Sequence, residues 1–354
     1  MSFGIHHYVP VLKVKLGEKQ ALADLAPSMR QHVTPLLEVV ERNSETPLET
    51  HLHTAFTKLR PAVAGLERYF IDTREIAADG PIASGSVYGR CLEQGVAFTP
   101  VTGLTRPGDV ATGLRAKGRN GIALRVARSE FEQQDVPTEV TAFLKSHRLS
   151  PDETDFILDL GAVDDMVEDG VAEMARAFLH QVPEPRSWRT LSLIGCAFPL
   201  SMKLVARDSH AHTARMEWNA WRDSVYLHAS EFARVPTFGD CVIQHTKGVE
   251  GFNPKTMQGS AAIRYALGNE WLLLKGRGTR KASTKIQMPK LARELVAGGL
   301  RVHFRGPDHC AGCRRIQEAA DGAPGAGSLM TWRRIGTVHH ITTTVEAIQR
   351  LHAP

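Results

Sequence analysis

The sequence predicts an α/β fold: a (β/α)8 TIM-barrel-like domain with a C-terminal α+β elaboration. Three observations carry that expectation. Eight short apolar segments recur between residues 8 and 243. Helix-length stretches separate most of them, the alternation that builds a parallel sheet with crossover helices. Several segments end in a charged residue, at Lys13, Glu38, Asp72, Arg125 and Asp159, where the strands of such a barrel meet its functional mouth.

The elements follow in order. The first strand covers about residues 7–15, and Gly17-Glu18 leads into a helix through Gln31 with Ala21, Leu22, Leu25 and Met29 at helical spacing. Pro35 opens strand two, Leu36-Leu37-Glu38. A helix over about 47–64 ends near Gly65 and delivers strand three, about 68–73. Helix three, about 86–95, stops at Gly95 before strand four, about 96–102. Pro107 and Gly108 open helix four, and Gly121 precedes strand five, Ile122-Ala123-Leu124-Arg125. Helix five spans about 137–147 and strand six about 154–160, with Gly161 as a turn. Helix six, about 164–181, aligns Val167, Val171, Met174 and Phe178 on one stripe. Strand seven runs from Thr190 to Cys196. Residues 200–236, with Arg215-Met216-Glu217-Trp218 and Trp221, then read as a helical insertion, and Phe238 to Ile243 as strand eight.

The barrel and its insertion are thus assigned to residues 1–250, and residues 251–354 to an elaboration packed on it. That second part reads as a β-hairpin through Arg264-Tyr265 and Trp271 to Lys275 with a basic loop at 276–285. A helix over about 288–298, a short strand at about 301–305, a loop from Gly322 to Gly327 and a terminal helix over about 342–352 follow.

Of the 354 residues, 42% are hydrophobic and 23% charged, ordinary for a soluble chain with a sizeable core. A net charge of +5 permits a phosphate-bearing partner but is too small to diagnose nucleic-acid binding. The N-terminus lacks the pattern of a signal peptide, and no apolar run approaches the roughly 20 residues of a membrane span, so no membrane partner is expected. Five scattered cysteines argue against a disulfide scaffold, which makes a reducing cytoplasm the expected location. A complete Walker motif, a GxGxxG after a strand and a GxSxG elbow are all missing.

Glu38, Asp72 and Asp159 at three strand ends suit a divalent metal, Mg²⁺ or Mn²⁺, because hard cations take oxygen ligands. The same acids suit proton transfer, or a structural ion network with Lys13, Lys15 and Arg125. Lys13 and Lys15 alternate along a strand and so share a face; with Arg125 and Arg264 they offer a grip on phosphate. Residues 275–285, which include Lys275 and Arg277, form the densest basic stretch and read either as phosphate contacts or as a solvated loop. Cys310 and Cys313 have metal-like C-x-x-C spacing, and His303, His309, His339 and His340 are available to complete a zinc site. Without a second C-x-x-C, the sequence ranks zinc there below two reduced structural cysteines in a loop-to-helix turn.

Five further features form an ordered set over nearly the whole length: Tyr8-Val9-Pro10-Val11-Leu12-Lys13 with Gly17-Glu18; Pro35-Leu36-Leu37-Glu38; Phe238-Gly239-Asp240; Ile263-Arg264-Tyr265; and Trp332-Arg333 with His339-His340. In these the chain resembles the phage Beta protein family, named for a T-even bacteriophage protein. The resemblance implies the barrel fold and a phage or mobile-element setting. Asp240, Arg264, Tyr265 and Arg333 fall within these motifs and are ligand-binding candidates. The resemblance favours His339 and His340 as catalytic groups ahead of the terminal helix, against a reading in which they simply cap it with one facing solvent. Cys241 stands where the family pattern has a tyrosine after Gly-Asp. The resulting expectation is a cytoplasmic barrel protein that binds a phosphate-containing ligand, a nucleotide or nucleic acid, with metal-dependent phosphodiester hydrolysis as its enzymatic version. The alternative is a non-catalytic scaffold in a phage or phage-defence system, with a phage or host protein as partner.

Overall fold

A computed structural model describes residues 3–247, 259–278, 283–325 and 327–352. Its first seven strands hydrogen-bond as parallel neighbours in chain order: β1 (Tyr8–Lys13), β2 (Leu36–Glu38), β3 (Arg68–Asp72), β4 (Ala97–Thr102), β5 (Ile122–Ala127), β6 (Thr154–Ala162) and β7 (Thr190–Cys196). The chain then lays down β8 (Ser209–Ala214) outside the barrel and returns as β9 (Thr237–Asp240). β9 pairs with β7 on one side and β1 on the other, so the eight-stranded barrel is closed.

The crossovers are helical. α1 (Leu16–Ala23) and α2 (Pro27–Arg30) follow β1, and α3 (Leu48–Phe56) and α4 (Leu59–Val63) follow β2. α5 (Pro81–Leu92), α6 (Pro107–Ala116), α7 (Arg128–Gln133) with α8 (Val136–His147), and α9 (Glu168–His180) follow the next four strands. Proline occupies the first turn of α5, α6 and α8, where its missing N–H costs nothing. α10 (Met216–Asn219) continues into a π-helical turn over Ala220–Tyr226 before β9.

Side chains alternate across each strand, so every second residue enters the barrel. Val9, Val11, Leu36, Phe70, Val101, Ala123, Ile157 and Ile194 fill its middle. Two steps along the same strands, charged groups close both ends. Arg68 and Asp155, paired at 2.6 Å, lie below the apolar layer, and Arg189 adds 2.5 Å to the same carboxylate. Lys13, Glu38, Asp72, Arg125 and Asp159 lie above it, at one end of the barrel as the strand-end pattern predicts.

The C-terminal part contains β10 (Ser260–Ala266) and β11 (Glu270–Gly278), an antiparallel pair, then α11 (Thr284–Val296), α12 (Ala311–Ala320) and α13 (Leu329–Leu351). Several expectations are corrected here. The 200–236 insertion is not purely helical: β8 pairs antiparallel with β11 and completes a three-stranded sheet, which therefore crosses the division drawn at residue 250. The hairpin turns at residues 267–269, so the basic stretch begins in the last residues of β11 and is not the hairpin loop; residues 279–282 of it fall outside the described residues. The strand expected at 301–305 is a 3-10 turn at Arg301–His303. The terminal helix starts 13 residues before the expected 342, at Leu329. It is buried on every side from Ile335 to Val345, so it shows no amphipathic stripe to read.

β9 closes the barrel through a position with no room for a side chain. A Cβ on Gly239 would stand 2.5 Å from Ile194 Cγ2 and 2.6 Å from the Val9 carbonyl oxygen. Gly239→Ala is expected to lower stability by about 1–3 kcal/mol through forced separation of β1 and β7 from β9. Gly89→Ala, in open space on α5, should be neutral or slightly stabilising. Chemical denaturation of the two variants checks the contrast; equal midpoints would refute the account of closure.

Candidate functional site

The mouth of the barrel is organised around Arg125. Its side chain is 2% exposed, and its guanidinium reaches three carboxylates on three other strands: Glu38 at 2.7 Å, Asp72 at 2.8 Å and Asp159 at 2.7 Å. Two arginines from the loops after β3 and β4 continue the network. Arg74 reaches Glu38 at 2.8 Å and Asp159 at 3.4 Å, and Arg106 reaches Asp72 at 2.6 Å. Lys13 adds a 2.7 Å contact to Glu38. Burial alone would raise the carboxyl pKa values, but the cations dominate: Glu38 is pushed down to about 2 by Arg125, Lys13 and Arg74. Asp72 is also held well below the usual carboxylate range, by Arg106, Arg125 and Arg74 against the same cost of burial. Sequence reasoning had no periodic signal for Arg106, which sits in a loop beside the helix-opening Pro107.

A second group of cations gathers between the mouth and the C-terminal sheet. Lys15 is not on β1 as expected; β1 ends at Lys13, and Lys15 stands at the residue before α1, with no side-chain bond to the helix end. Glu18, one turn into α1, is buried, accepts from Gln244 Nε2, and has Arg333 of α13 at 3.9 Å. Arg264 extends from β10 until its guanidinium lies 5.4 Å from the centre of the Phe198 ring, beyond β7. Its Nε is buried without a hydrogen-bond partner among the described residues. Burial and the nearby Arg333 push Arg264 down to about 10, and burial with Arg333 and Lys13 also lowers Lys15. Arg264 remains cationic at neutral pH. The backbone between β9 and Gln244 is strained: Val242 has φ of +59°, unusual for a β-branched residue, and its N–H is held by Asp240 Oδ1 at 2.8 Å.

Asp240 itself faces away from the mouth. Its carboxylate accepts from Tyr8 Oη at 2.5 Å, from Arg215 Nη2 at 2.8 Å and from His340 Nε2 at 2.8 Å. His340 in turn accepts from Trp271 Nε1 at 3.2 Å through Nδ1, which requires the neutral tautomer protonated on Nε2. Burial pushes His340 down to about 4 despite Asp240, in agreement with that tautomer. The group therefore pins α13 and β11 to the outside of the barrel. Glu217, beside it, is pushed up to about 8 by burial and by Asp240.

The remaining sequence candidates lie elsewhere. His339 and His340 sit in the middle of α13, fully buried, and not in the loop before it. Tyr265 stacks on His339 with ring centres 3.7 Å apart, inside the C-terminal core. Lys275 donates to the carbonyls of Met202 and Val205 at 2.7 and 2.8 Å and so secures β11 to the segment before β8. Arg277 pairs on the surface with Asp208 at 2.6 Å. Of the predicted ligand-binding residues, the structure thus brings Lys13, Lys15, Arg125, Arg264 and Arg333 to one region, and leaves Asp240, Tyr265, Lys275 and Arg277 out of it.

Two consequences for stability follow. Asp72→Asn leaves Arg125 and Arg106 short of a carboxylate and is expected to destabilise by about 3–5 kcal/mol. Wild-type stability should fall with acid: Glu38 has a folded pKa below its unfolded value, so its contribution is complete above about pH 4.5 and lost as pH drops toward 2. Glu217 has the opposite sign. Its folded pKa is raised, so wild-type stability declines as pH rises from about 4.5 to 8, by up to about 1.4 kcal/mol per unit. Glu217→Gln should remove that slope and gain on wild type as pH increases. Unfolding of the three proteins in urea across pH 3–9, buffered at constant ionic strength, checks both signs.

No curated protein matches the chain. Among the described residues, no helix is long and apolar enough to cross a membrane. The family model described as Beta protein matches residues 8–346, from the first residue of β1 into the last turns of α13, and on that match the chain belongs to the Beta protein family.

Proposed function

We propose that the barrel mouth binds a phosphate-containing ligand, a nucleotide or a segment of nucleic acid, and recognises it without a carboxylate-held metal. The observation that carries this reading is the grouping of Lys15, Arg264 and Arg333. Among the described residues, Glu18 is the only carboxylate within ion-pair distance of any of the three. Three cations against one carboxylate leave an excess of two positive charges; Lys15 is exposed, Arg264 and Arg333 are half-buried, and among the described residues Arg264 Nε has no acceptor. A buried donor of that kind calls for an acceptor, and the surplus positive charge around it favours an anionic one. Phosphate suits it, since a guanidinium presents paired donors to its oxygens and the ammonium of Lys15 adds a point charge.

The acids support the same reading from the other side. A divalent ion shared by Glu38, Asp72 and Asp159 would need their oxygens at about 2.0–2.6 Å. The guanidinium of Arg125 stands between all three, already hydrogen-bonded to each. The carboxylates then serve to hold Arg125, Arg74, Arg106 and Lys13 in the mouth. Family membership, with the resemblance in the sequence, favours a phage, mobile-element or phage-defence setting for this recognition.

Titration calorimetry with ATP and with a short single-stranded oligonucleotide, at about 50 and 200 mM salt, tests the proposal. Wild type should bind at least one of the two, more tightly at low salt. Lys15→Ala/Arg264→Ala should weaken binding at least tenfold with melting temperature retained, and reduce the salt slope for the oligonucleotide by about 1.4. Absence of binding by wild type, or equal affinity in the double variant, would sink the idea. Hydrolysis of either probe that depends on added Mn²⁺ and is lost in Asp72→Asn would restore the metal reading.

A further inference from the structure

We propose that His309, Cys310, Cys313 and His339 form a zinc site that joins the start of α12 to the middle of α13. One ligand atom from each of the four lies within 4.8 Å of all the others. Tetrahedral zinc, with Zn–S near 2.3 Å and Zn–N near 2.0–2.1 Å, sets ligand–ligand separations of about 3.3–3.8 Å. Cys313 Sγ is already 3.2 Å from His339 Nδ1, and Cys310 Sγ is 4.0 Å from the same nitrogen. An adjustment of about an ångström therefore completes the shell. The sequence offered four histidines for the C-x-x-C pair; the fold selects two, because His340 is committed to Asp240 and His303 meets His212 of the sheet edge to face.

The surroundings orient these groups as outer partners of a metal site do. His339 Nε2 lies 2.9 Å from the Ala266 carbonyl oxygen, an acceptor, so that nitrogen carries the proton and Nδ1 turns its lone pair toward the cysteines. His309 Nδ1 faces the Glu346 carboxylate at 3.3 Å, as in a carboxylate–histidine–zinc triad, and its Nε2, 3.2 Å from Thr343 Oγ1, would exchange that hydroxyl for the ion. The Cys313 backbone N–H donates to Cys310 Sγ at 3.3 Å, a bond that favours the thiolate. Zinc binding would release two thiol protons to solvent and give a site of zero net charge from two thiolates and two neutral imidazoles. Cys313 and His339 are buried while His309 and Cys310 are partly open, so an entry path exists. The site is separate from the barrel mouth, and its test does not depend on the ligand proposed there.

The test is metal analysis of the full-length protein produced in zinc-supplemented medium without a polyhistidine tag. About one zinc per chain is expected, and none in Cys310→Ser/Cys313→Ser. Glu346→Gln, which keeps all four ligands, should lower zinc affinity about 10–100-fold in competition with a chromogenic chelator. Should the double variant fail to fold, Co²⁺ exchanged into wild type should give thiolate-to-cobalt charge-transfer absorption with the visible bands of a tetrahedral centre. Wild type without stoichiometric zinc, zinc retained by the double variant, or a cobalt spectrum without thiolate absorption overturns the proposal.

Discussion

Closing eight parallel strands brings charged strand ends into a space from which water is largely excluded, and the guanidinium of Arg125 makes that tolerable. It meets three carboxylates from β2, β3 and β6 while its own strand is β5, so one planar cation joins four staves of the barrel. A lysine could not do this; an ammonium has no fork of donors with which to address several acceptors in a plane. The arrangement is repeated in smaller form at the opposite end, where Asp155 takes both Arg68 and Arg189. Between the two polar plugs lies the apolar layer, and the two-residue period of the strands links all three. Phe70 lies between Arg68 and Asp72, and Ile157 between Asp155 and Asp159.

Because the carboxylates are occupied by Arg125 and its neighbours, chemistry at the mouth depends on what is left over. The surplus is positive and lies toward the C-terminal sheet. Glu18 shows how the two parts meet there: it comes from the first helix of the barrel, yet its neighbours are Gln244 after β9 and Arg333 on α13. The strained turn at Val242 delivers Gln244 to that position, and the Asp240 carboxylate that secures the turn also secures α13 through His340. The cation group beside the mouth and the attachment of the C-terminal part are thus built on one short piece of backbone.

Much of the barrel was legible because a parallel strand covered on both faces reads as an apolar run, and a charge at its end marks the mouth. Lys13, Glu38, Asp72, Arg125 and Asp159 were found in this way. β8 was not legible: Ser-His-Ala-His-Thr-Ala has neither an apolar run nor an alternating apolar face, since it is an edge strand half open to solvent. The first half of α13 was hidden for the opposite reason. It is buried all around, and its threonines, Gly336 and histidine pair have weak helical propensity that only tertiary packing overrides. A Cβ on Gly336 would stand 2.9 Å from the Arg264 carbonyl oxygen, a closeness of helix and sheet that no local pattern reveals. Arg74, Arg106 and Arg215 act across distances in sequence that spacing rules do not span.

The path of the chain through β8 has a consequence for synthesis. The ribosome delivers β8 before β9 closes the barrel, but β11, its only hydrogen-bonded neighbour among the described residues, ends at Gly278. For more than 50 residues of translation β8 must wait as an unpaired strand outside a nascent barrel. Its polar composition, two histidines and no large apolar side chain, is what protects such an edge from pairing with a neighbouring chain. A strand that looks like a loop in the sequence is in this sense safe to leave exposed, and the feature that made it hard to recognise also lets the nascent chain carry it unpaired until its partner emerges.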